Sequence, residues 1–389
     1  MPNVNLETTV GGIPLATCVY NASGPRTGSS AALAKIAASS AGAILTKSAT
    51  LEKQTGNPQP RTWHSEDDLA SMNSEGLPNS GIDYYLAKST IDETMEGCGG
   101  AAKPYLVSIS GKTLADNLVM LDRIAKTMDE GEKRIVGVEL NLACPNVIGK
   151  PIIAYDFEQM RDILETVSAK KYTFVLGLKL PPYLDGKHLQ AAASIINEYA
   201  GMISYVVSIN TIGNALSVDT VSEAPFIASN SGLAGLSGPA AKFTALANVR
   251  QMRQQLKPEI DVIGVGGITC GRDAFEFLLC GASAVQVGTC HWKEGPKCFD
   301  RIVDELKQIL AEKGYSSARD CMGKLKPWSK EGAAKTRAAK RAAKASGAAA
   351  GTSTATVSTG MGGSNLVVEV VLVLAIAVLL ADKFGAISL

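Results

Sequence analysis

The sequence is organised around the stretch VELNLACPN, which spans residues 138–146. An apolar run typical of a buried strand ends at Asn141, and Cys144 and Asn146 follow within five residues. In a barrel enzyme the loop after a strand carries catalytic residues, so this stretch predicts a catalytic loop. Its amides can donate and accept hydrogen bonds, and a thiol with a free pKa near ~8.5 needs only modest activation as a base. Taken alone, the stretch also fits a loop with two asparagines and a buried structural cysteine.

Short runs rich in Val, Ile and Leu recur along the chain and alternate with segments of helical period. The period of three to four residues is clear in residues 118–128 and again in residues 299–310. Eight buried strands alternating with helices predict an α/β fold, a (β/α)8 TIM barrel, with a doubly wound open sheet as the alternative. The predicted strands are Leu15–Tyr20, Ala43–Thr46, Tyr105–Ile109, Ile135–Leu142, Phe174–Leu180, Tyr205–Ile209, Val262–Val265 and Ala284–Val287.

Each predicted strand is followed by a polar residue or a glycine. Because the carboxyl ends of barrel strands meet on one face, these residues are expected to converge where active sites of this fold lie. Loop solvation alone does not explain two lysines and three asparagines at corresponding positions. The residues are Asn21, Lys47, Ser48, Ser110, Asn141, Cys144, Lys179, Asn210, Thr211, Gly266, Gly267, Gly288 and Thr289.

Glycines after the seventh and eighth strands indicate a phosphate-containing ligand. Glycine lets the backbone approach phosphate oxygens, and the pairs at 266–267 and 288–289 would form the phosphate cradle usual in this fold. The run GLSG at 235–238 could add another N–H group. No Rossmann fingerprint follows a strand, so a mononucleotide cofactor or a phosphorylated substrate is predicted. The alternative is that these glycines only make tight turns.

Composition excludes several other classes of protein. The eight cysteines include no C-x-x-C pair and the three histidines are scattered, so no zinc or iron–sulfur site is predicted. Free thiols without a secretory signal favour a reducing compartment. Residues 324–344 carry a net charge of +7, which leaves −5 on residues 1–323 and no overall attraction to nucleic acid. No Ser/His/Asp set and no catalytic carboxylate pair is recognisable.

Eight short motifs are distinctive when they are taken together. They are NASGP (21–25), TKSAT (46–50), NSEGLPN (73–79), ELNLACPN (139–146), LKLPPY (178–183), INTIGNAL (209–216), GVGGI (264–268) and VQVGT (285–289). Over roughly residues 1–323 the sequence closely resembles the dihydroorotate dehydrogenases. The likeness is strongest to the cytosolic, fumarate-linked class, because Cys144 stands where the membrane-bound, quinone-linked class carries Ser.

The resemblance implies FMN across the barrel mouth and dihydroorotate or orotate beside it. The implied cofactor-binding residues are Ala22, Ser23, Lys47, Ser48, Asn141, Lys179, Ile209, Gly238, Gly266, Gly267, Gly288 and Thr289, the last five at the phosphate. The implied substrate-binding residues are Lys47, Asn73, Gly76, Leu77, Asn141, Asn146, Asn210 and Thr211. A homodimer is also expected. No metal is expected.

The resemblance also implies a mechanism, with Cys144 and Lys47 as the catalytic residues. The Cys144 thiolate would take the proton from C5 of dihydroorotate while a hydride leaves C6 for FMN. Fumarate would then reoxidise the flavin and become succinate, with orotate passing into pyrimidine (UMP) biosynthesis. Alternatives are the same dehydrogenase passing electrons to a membrane quinone, a non-redox phosphate-binding isomerase or lyase, and a non-catalytic nucleotide-binding barrel.

Four positions depart from the pattern of the family. Glu75 stands where Met is usual, Ala143 where Ser is common, Val265 where Cys often occurs, and Ser237 lies in a glycine-rich run. Glu75 matters most, because an acid beside a carboxylate substrate would repel it. An outward-pointing side chain would keep that repulsion small.

The C-terminal tail lies outside the resemblance, so residues 1–323 are predicted to form the catalytic domain. Residues 324–364 are basic, then Gly/Ser/Ala-rich, which predicts a flexible linker. The apolar run 366–381 would span ~24 Å as a helix, slightly less than a ~30 Å hydrocarbon core. Residues 365–389 are therefore predicted to anchor a cytoplasmic enzyme to an intracellular membrane. An amphipathic helix, an oligomerising helix and a fusion remnant are the alternatives.

Overall fold

The computed structural model describes residues 4–100, 102–143 and 152–345. Its contacts divide the chain into two units, Met1–Leu325 and Lys326–Leu389, and each is described by itself. The predictions on Cys144, Asn146, the linker beyond residue 345 and the apolar run 366–381 lie outside the described residues. Among the described helices, none combines the length and the hydropathy that crossing a membrane requires.

Eight parallel strands form the barrel that the sequence predicts. Neighbouring strands follow one another in chain order, and the eighth returns to pair with the first, which confirms the TIM barrel and excludes the doubly wound sheet. The strands are β1 (Val19–Asn21), β2 (Ile44–Leu45), β3 (Tyr105–Ile109), β4 (Ile135–Asn141), β5 (Val175–Leu180), β6 (Ile203–Ser208), β7 (Asp261–Val265) and β8 (Ala284–Val287).

One main helix follows each strand and covers the outside of the barrel. Several begin at a side chain that accepts a backbone N–H, as Thr113 does for Asp116 and Asp185 does for His188. Each such cap is worth about 1 kcal/mol and fixes where the loop ends. The helices are α1 (Ser30–Ala37), α2 (Lys88–Glu96), α3 (Leu114–Asp129), α4 (Phe157–Ala169), α5 (Gly186–Glu198), α6 (Lys242–Gln255), α7 (Gly271–Cys280) and α8 (Lys297–Glu312).

The side chain of Asn21 joins β1 to β2. Its Nδ2 donates to the carbonyl of Leu45 at 2.7 Å, and its Oδ1 accepts from the Leu45 amide at 3.0 Å. Asn21 is fully buried. It therefore replaces a backbone ladder where the barrel closes, and it does not face the barrel mouth as the strand-end pattern suggested.

The first predicted strand is displaced because Leu15 belongs to a separate hairpin. This hairpin pairs Thr8–Val10 with Ile13–Leu15, and the amide of Gly11 at its turn donates to Asp261 at 2.8 Å. Asp261 is the first residue of β7, so the hairpin covers the amino-terminal end of the barrel. An apolar run in the sequence does not by itself show whether a strand belongs to the barrel or to a hairpin that covers its end.

A four-stranded antiparallel sheet, here called the cap sheet, lies over the opposite end. Its strands are, in spatial order, Ile212–Ala215, Ala234–Ser237, Ser71–Asn73 and Thr62–His64. Two strands come from the β2–α2 connection and two from the β6–α6 connection. Met72, Ile227 and Ala234 form its small core, with Trp63 and Leu236 packed against them. The sequence analysis predicted none of these strands, because they are too short to show a period.

The remaining elements are short, apart from one helix in the tail. They are the helices Ile82–Leu86, Thr289–Glu294 and Lys330–Ala345, the 3-10 turns Pro25–Thr27, Ile153–Tyr155, Asn230–Gly232, Pro239–Ala241 and Arg319–Cys321, and the strand pair Val218–Asp219 with Ala224–Pro225. Lys330–Ala345 lies in the basic segment for which a flexible linker was predicted. Its Ala, Lys and Arg residues are strong helix formers, which explains the difference.

Candidate active site

One cavity of about 1180 Å³, including the part open to solvent, lies between the barrel mouth and the cap sheet. Its wall combines apolar side chains with a few polar groups, as is typical of small-molecule sites. The predicted site residues that line it are Ala22, Ser23, Lys47, Ser48, Asn73, Leu77, Asn141, Lys179, Ile209, Asn210, Thr211, Gly238, Gly266, Gly267, Gly288 and Thr289. Side chains from distant parts of the sequence are therefore brought to one place.

Gly76 is the one described residue of the predicted site that does not line this cavity. A Cβ at Gly76 would lie 2.7 Å from the backbone nitrogen of Asn57, and its φ of 68° is one that glycine adopts readily. Gly76 therefore shapes the loop. Asn79, from the same motif, is also used internally, since its side chain bonds Thr50 and the carbonyl of Leu77.

A buried polar network forms the floor of the cavity. Lys179 Nζ donates to Gln286 Oε1 at 3.3 Å, and Gln286 Nε2 donates to Glu139 Oε2 at 2.7 Å and to the Tyr20 hydroxyl at 3.2 Å. Burial lowers the pKa of Lys179, while the negative charge of Glu139 opposes that shift. The network thus places a cation under the cavity and supplies its counter-charge through one amide.

Three hydroxyls line up beside Lys47 at the end of β2. Ser48 Oγ lies 3.0 Å from Ser23 Oγ and 2.9 Å from Ser108 Oγ, and the Ser48 amide donates to Ser23 Oγ at 2.6 Å. These contacts fix the loops after β1 and β2 against each other and against β3. They hold Ser23 and Ser48 in the cavity wall, where both can hydrogen-bond a polar ring.

Two of the predicted amides are held together on the opposite side. Asn210 Nδ2 donates to the Ala143 carbonyl at 3.0 Å and approaches Asn141 Oδ1 at 3.4 Å. Asn141 Oδ1 also accepts from the Ala143 amide at 3.0 Å. Asn141 Oδ1 and the Ala143 carbonyl oxygen therefore accept hydrogen bonds within the site. The two amide side chains are held in place next to the segment that leads to Cys144.

The glycines form a cradle that fits a phosphate. Gly266 and Gly267 have φ values of 131° and 69°, and Gly238 has 77°. A Cβ at Gly267 would lie 2.8 Å from Lys242 Cβ and 2.9 Å from the Gly238 carbonyl oxygen. With no side chains in the way, their backbone can approach an anion at the cavity wall. The predicted phosphate position therefore suits the residues found there.

Glu75 does not point outward. Its carboxylate pairs with Arg61, with Nε and Oε2 3.0 Å apart, and the two side chains are only 18% and 10% exposed for Arg61 and Glu75 respectively. Glu75 also lines the cavity. The outward orientation that would keep the repulsion small is therefore not the one found, and a neighbouring guanidinium pairs with the carboxylate instead.

Several lining residues were missed at the level of sequence. They are Gly24, Pro25, Ser71, Leu236, Ala241, Ile268, Thr269, Gln286 and Trp292. Gln286 carried a usable signal, because a fully buried amide inside the apolar run of β8 needs a polar partner. Ser71 and Trp292 carried none, because the cap sheet and the short helix Thr289–Glu294 place them.

In the part of the chain that the structure describes, no group of His, Cys, Asp and Glu side chains is arranged to hold a metal ion. The seven described cysteines are free thiols. The polar groups of the described site are amides, hydroxyls, two lysines, the Glu75 carboxylate and exposed backbone.

Comparison with known proteins decides the family. The family model for dihydroorotate dehydrogenase matches residues 5–310. The chain belongs to the dihydroorotate dehydrogenase family. A family member named dihydroorotate dehydrogenase A (fumarate), from Lactococcus lactis subsp. cremoris (strain MG1363), is 46% identical over 324 residues, covering 82% of this chain and 99% of that protein. The protein of the same name from Lactococcus lactis subsp. lactis (strain IL1403) gives the same values.

A solved structure supports the fold of this family member. It is DHODH from Eimeria tenella in complex with ferulenol, which matches with a TM-score of 0.65 and covers 82% of this chain and 88% of that one. At 21% identity this match bears on the barrel alone.

Proposed function

We propose that the protein is an FMN-dependent dihydroorotate dehydrogenase that oxidises (S)-dihydroorotate to orotate and uses fumarate as the electron acceptor. The observation that carries the proposal is the single cavity in which the glycine cradle, Lys47, Lys179 and the paired amides meet. Family membership and relatives named for the fumarate-linked enzyme support it.

The cofactor proposal rests on the glycine cradle and on the buried polar network that forms the floor of the cavity, because both suit FMN. Gly238, Gly266, Gly267, Gly288 and Thr289 would hold the FMN phosphate, while Ala22, Ser23, Lys47, Ser48, Asn141, Lys179 and Ile209 would border its ring. When bound, FMN supplies the two-electron acceptor that takes the hydride from C6 of dihydroorotate. Lys179, with Glu139 as a nearby counter-charge, provides a donor and a positive charge for an electron-rich ring edge.

The substrate proposal assigns the polar wall to a pyrimidinedione carrying a carboxylate. Lys47, Asn73, Leu77, Asn141, Asn146, Asn210 and Thr211 would bind it, with Gly76 shaping their loop. Amides suit the alternating carbonyl and N–H edges of the ring, and Lys47 suits its negative charge. Cys144 would accept the C5 proton on its sulfur, and Lys47 would stabilise charge that develops on the ring.

Family membership disfavours a non-redox isomerase or lyase, and a quinone acceptor is not favoured by the names of the relatives. The test is an anaerobic titration of the purified protein. Dihydroorotate should bleach a yellow flavin absorbance, and fumarate should restore it faster than a quinone analogue or NAD. A colourless protein, or a flavin that dihydroorotate leaves oxidised, would contradict the proposal.

Cys144 has its own test within this proposal. Cys144→Ala should bind FMN and orotate but lose flavin reduction by roughly 10²-fold or more, because the proton at C5 has no acceptor. Cys144→Ser should retain weak activity that rises with pH, since a hydroxyl is a poorer acid than a thiol. Reduction of the Ala variant at the wild-type rate would remove Cys144 from the mechanism.

We also propose that the enzyme is a homodimer. The strand pair Val218–Asp219 with Ala224–Pro225 exposes apolar side chains on its surface, and Val221 in its turn is 92% exposed. Such exposed apolar surface is typical of a protein interface. Light scattering coupled to gel filtration should give twice the mass of the chain.

A further inference from the structure

We propose that Arg61 and Glu75 form a compensated charge pair that sets the affinity of the active-site cavity for anions. Glu75 is the specificity-determining member and Arg61 its positioning partner. This inference deepens the proposed function and rests on it, since dihydroorotate, orotate and fumarate are all anions. It concerns how the affinity for a ligand depends on its net charge, beyond the contact proposed for Lys47.

The cap sheet brings the two residues together. Thr62 is opposite Asn73 in the hairpin at one edge of the sheet, so Arg61 and Glu75 flank the same end of the two strands. The Ser74 amide donates to the Arg61 carbonyl at 2.8 Å, and the Asn57 amide donates to the Glu75 carbonyl at 2.9 Å. The backbone on both sides of the pair is thereby fixed.

The guanidinium is fixed as well as the backbone. Arg61 Nη1 donates to the carbonyls of Thr55 and Asn57 at 2.8 Å and 3.1 Å, while Nε faces Glu75 at 3.0 Å. Gly56 lies between these carbonyls, and a Cβ there would lie 2.6 Å from Nη1. Arg61 is therefore locked onto Glu75 rather than sampling solvent, which separates this pair from an ordinary surface ion pair.

The position of Glu75 connects the pair to ligand binding. A second cavity, of about 630 Å³ including open solvent, adjoins the active-site cavity, and both are lined by Pro25, Lys47, Glu75 and Trp292. The charged residues among those lining the second cavity are Lys47, Arg61 and Glu75. Glu75 thus stands on the shared wall with Lys47, and its carboxylate would oppose an entering anion if Arg61 did not compensate it.

The test measures how binding depends on ligand charge. In the holoenzyme, Arg61→Gln should weaken orotate, a monoanion, about fivefold and fumarate, a dianion, about twenty-fivefold, because Coulomb energy scales with ligand charge. Binding is measured by calorimetry, with KM for dihydroorotate as a second readout that should change more than kcat. Glu75→Gln alone should tighten both ligands in the same charge order.

The double variant distinguishes charge from folding. Arg61→Gln with Glu75→Gln should return both affinities to within about twofold of wild type, because no uncompensated charge is left. Arg123→Gln is the matched control, since it breaks the exposed Arg123–Asp83 pair away from the cavity. That control should leave both affinities unchanged.

Three results would overturn the inference. They are equal losses for orotate and fumarate in Arg61→Gln, no recovery in the double variant, and unchanged affinities in all variants. Failure of the proposed function would show differently, as an absence of dihydroorotate turnover in the wild type, and it would leave the charge dependence of binding measurable.

Discussion

At the scale of single residues, the glycines of the site show where an added side chain would test ligand binding. Gly288 has ordinary φ, and its nearest neighbour for an added Cβ is Ala22 Cβ at 3.7 Å, so a side chain would enter the cavity without a clash. A Cβ at Gly266 would instead lie 2.9 Å from Ala245 Cβ, at a φ of 131°. A side chain at Gly266 would therefore both strain the backbone and block the ligand, so the two effects could not be told apart. A side chain at Gly288 would block the ligand without the strain.

We predict that Gly288→Val purifies without FMN while keeping the far-ultraviolet circular dichroism of the wild type. The branched side chain would occupy the space between Ala22 and the proposed phosphate cradle. The control is Gly201→Val, since a Cβ there meets nothing within 4 Å. The control should stay yellow, and a Gly288→Val protein with normal flavin content would place the phosphate elsewhere.

His291 gives the site region a pH dependence of stability. It is 3% exposed, and burial, with a smaller contribution from the charge of Arg26, lowers its pKa to about 4. The unfolded chain has a His pKa near ~6.5, so between these values only the unfolded state takes up the proton. Acidification from pH 7 to pH 4 should then remove up to about 3 kcal/mol from the free energy of unfolding.

The measurement is urea unfolding at pH 7, 5 and 4. His291→Asn should reduce the slope of stability against pH over this range, because no proton is bound at this position in either state. An unchanged slope in the variant would show that other groups account for the acid sensitivity.

At the scale of elements, one buried side chain contributes to closure of the barrel, beside the bond from the Gly42 amide to the Val19 carbonyl. Asn21→Ala would leave the amide and the carbonyl of Leu45 unpaired in a fully buried place. We predict a loss of roughly 2–4 kcal/mol in the free energy of unfolding, because each orphaned buried polar group costs about 1–3 kcal/mol. Urea unfolding of the holoenzyme measures it.

Asn197 provides the control for this prediction. Its side chain bridges backbone groups in the same way, accepting from the Lys257 amide at 2.8 Å and donating to the Gln255 carbonyl at 2.9 Å, but at the protein surface. Water can replace those bonds, so Asn197→Ala should cost less than about 1 kcal/mol. Equal losses in the two variants would contradict the role of Asn21 in closure.

At the scale of the whole molecule, the first compact unit extends slightly beyond Gly323, to Leu325. The Gly323 amide donates to the Leu278 carbonyl at 2.9 Å, and the Leu325 amide donates to the Leu279 carbonyl at 3.0 Å. Both bonds tie the chain to the end of α7. A truncation should therefore keep Leu325.

We predict that deletion of residues 326–389 leaves a yellow enzyme with an unchanged turnover number for dihydroorotate and fumarate. A shorter chain that ends at Ala318 should be destabilised, because it loses the fully buried Cys321 and both bonds to α7. Loss of FMN from the longer truncation would show that the tail supports the fold.

The membrane prediction is tested with the same pair of proteins. If residues 366–381 insert, the full-length chain should sediment with membranes, resist extraction by carbonate or high salt, and be released by detergent. Salt should weaken only the part of the attachment that comes from the basic segment 324–344. A full-length protein that stays in the supernatant without detergent would exclude the anchor.

The sequence by itself determined the barrel and several of the positions that line its mouth. The apolar runs of β3 to β8 are buried on both faces. They can therefore be recognised as buried strands from the sequence alone, without knowing which strands lie beside them. Asn141, Lys179 and Asn210 lie at or just beyond the ends of such runs, and the rule that parallel strands end on one face places them together.

Only the tertiary structure decided which of those polar residues serve the cavity and which hold the barrel together. Asn21 and Asn141 are both the last residues of their strands, yet Asn21 bridges β1 to β2 and Asn141 lines the site. From the sequence alone, Glu75 is an acid that would repel a carboxylate substrate. In the structure Arg61 compensates its charge, reaching it across a hairpin that is too short to show a pattern in the sequence. Hydrogen bonds and charge compensation depend on which groups are in contact, and the packing of segments that are distant in sequence determines those contacts.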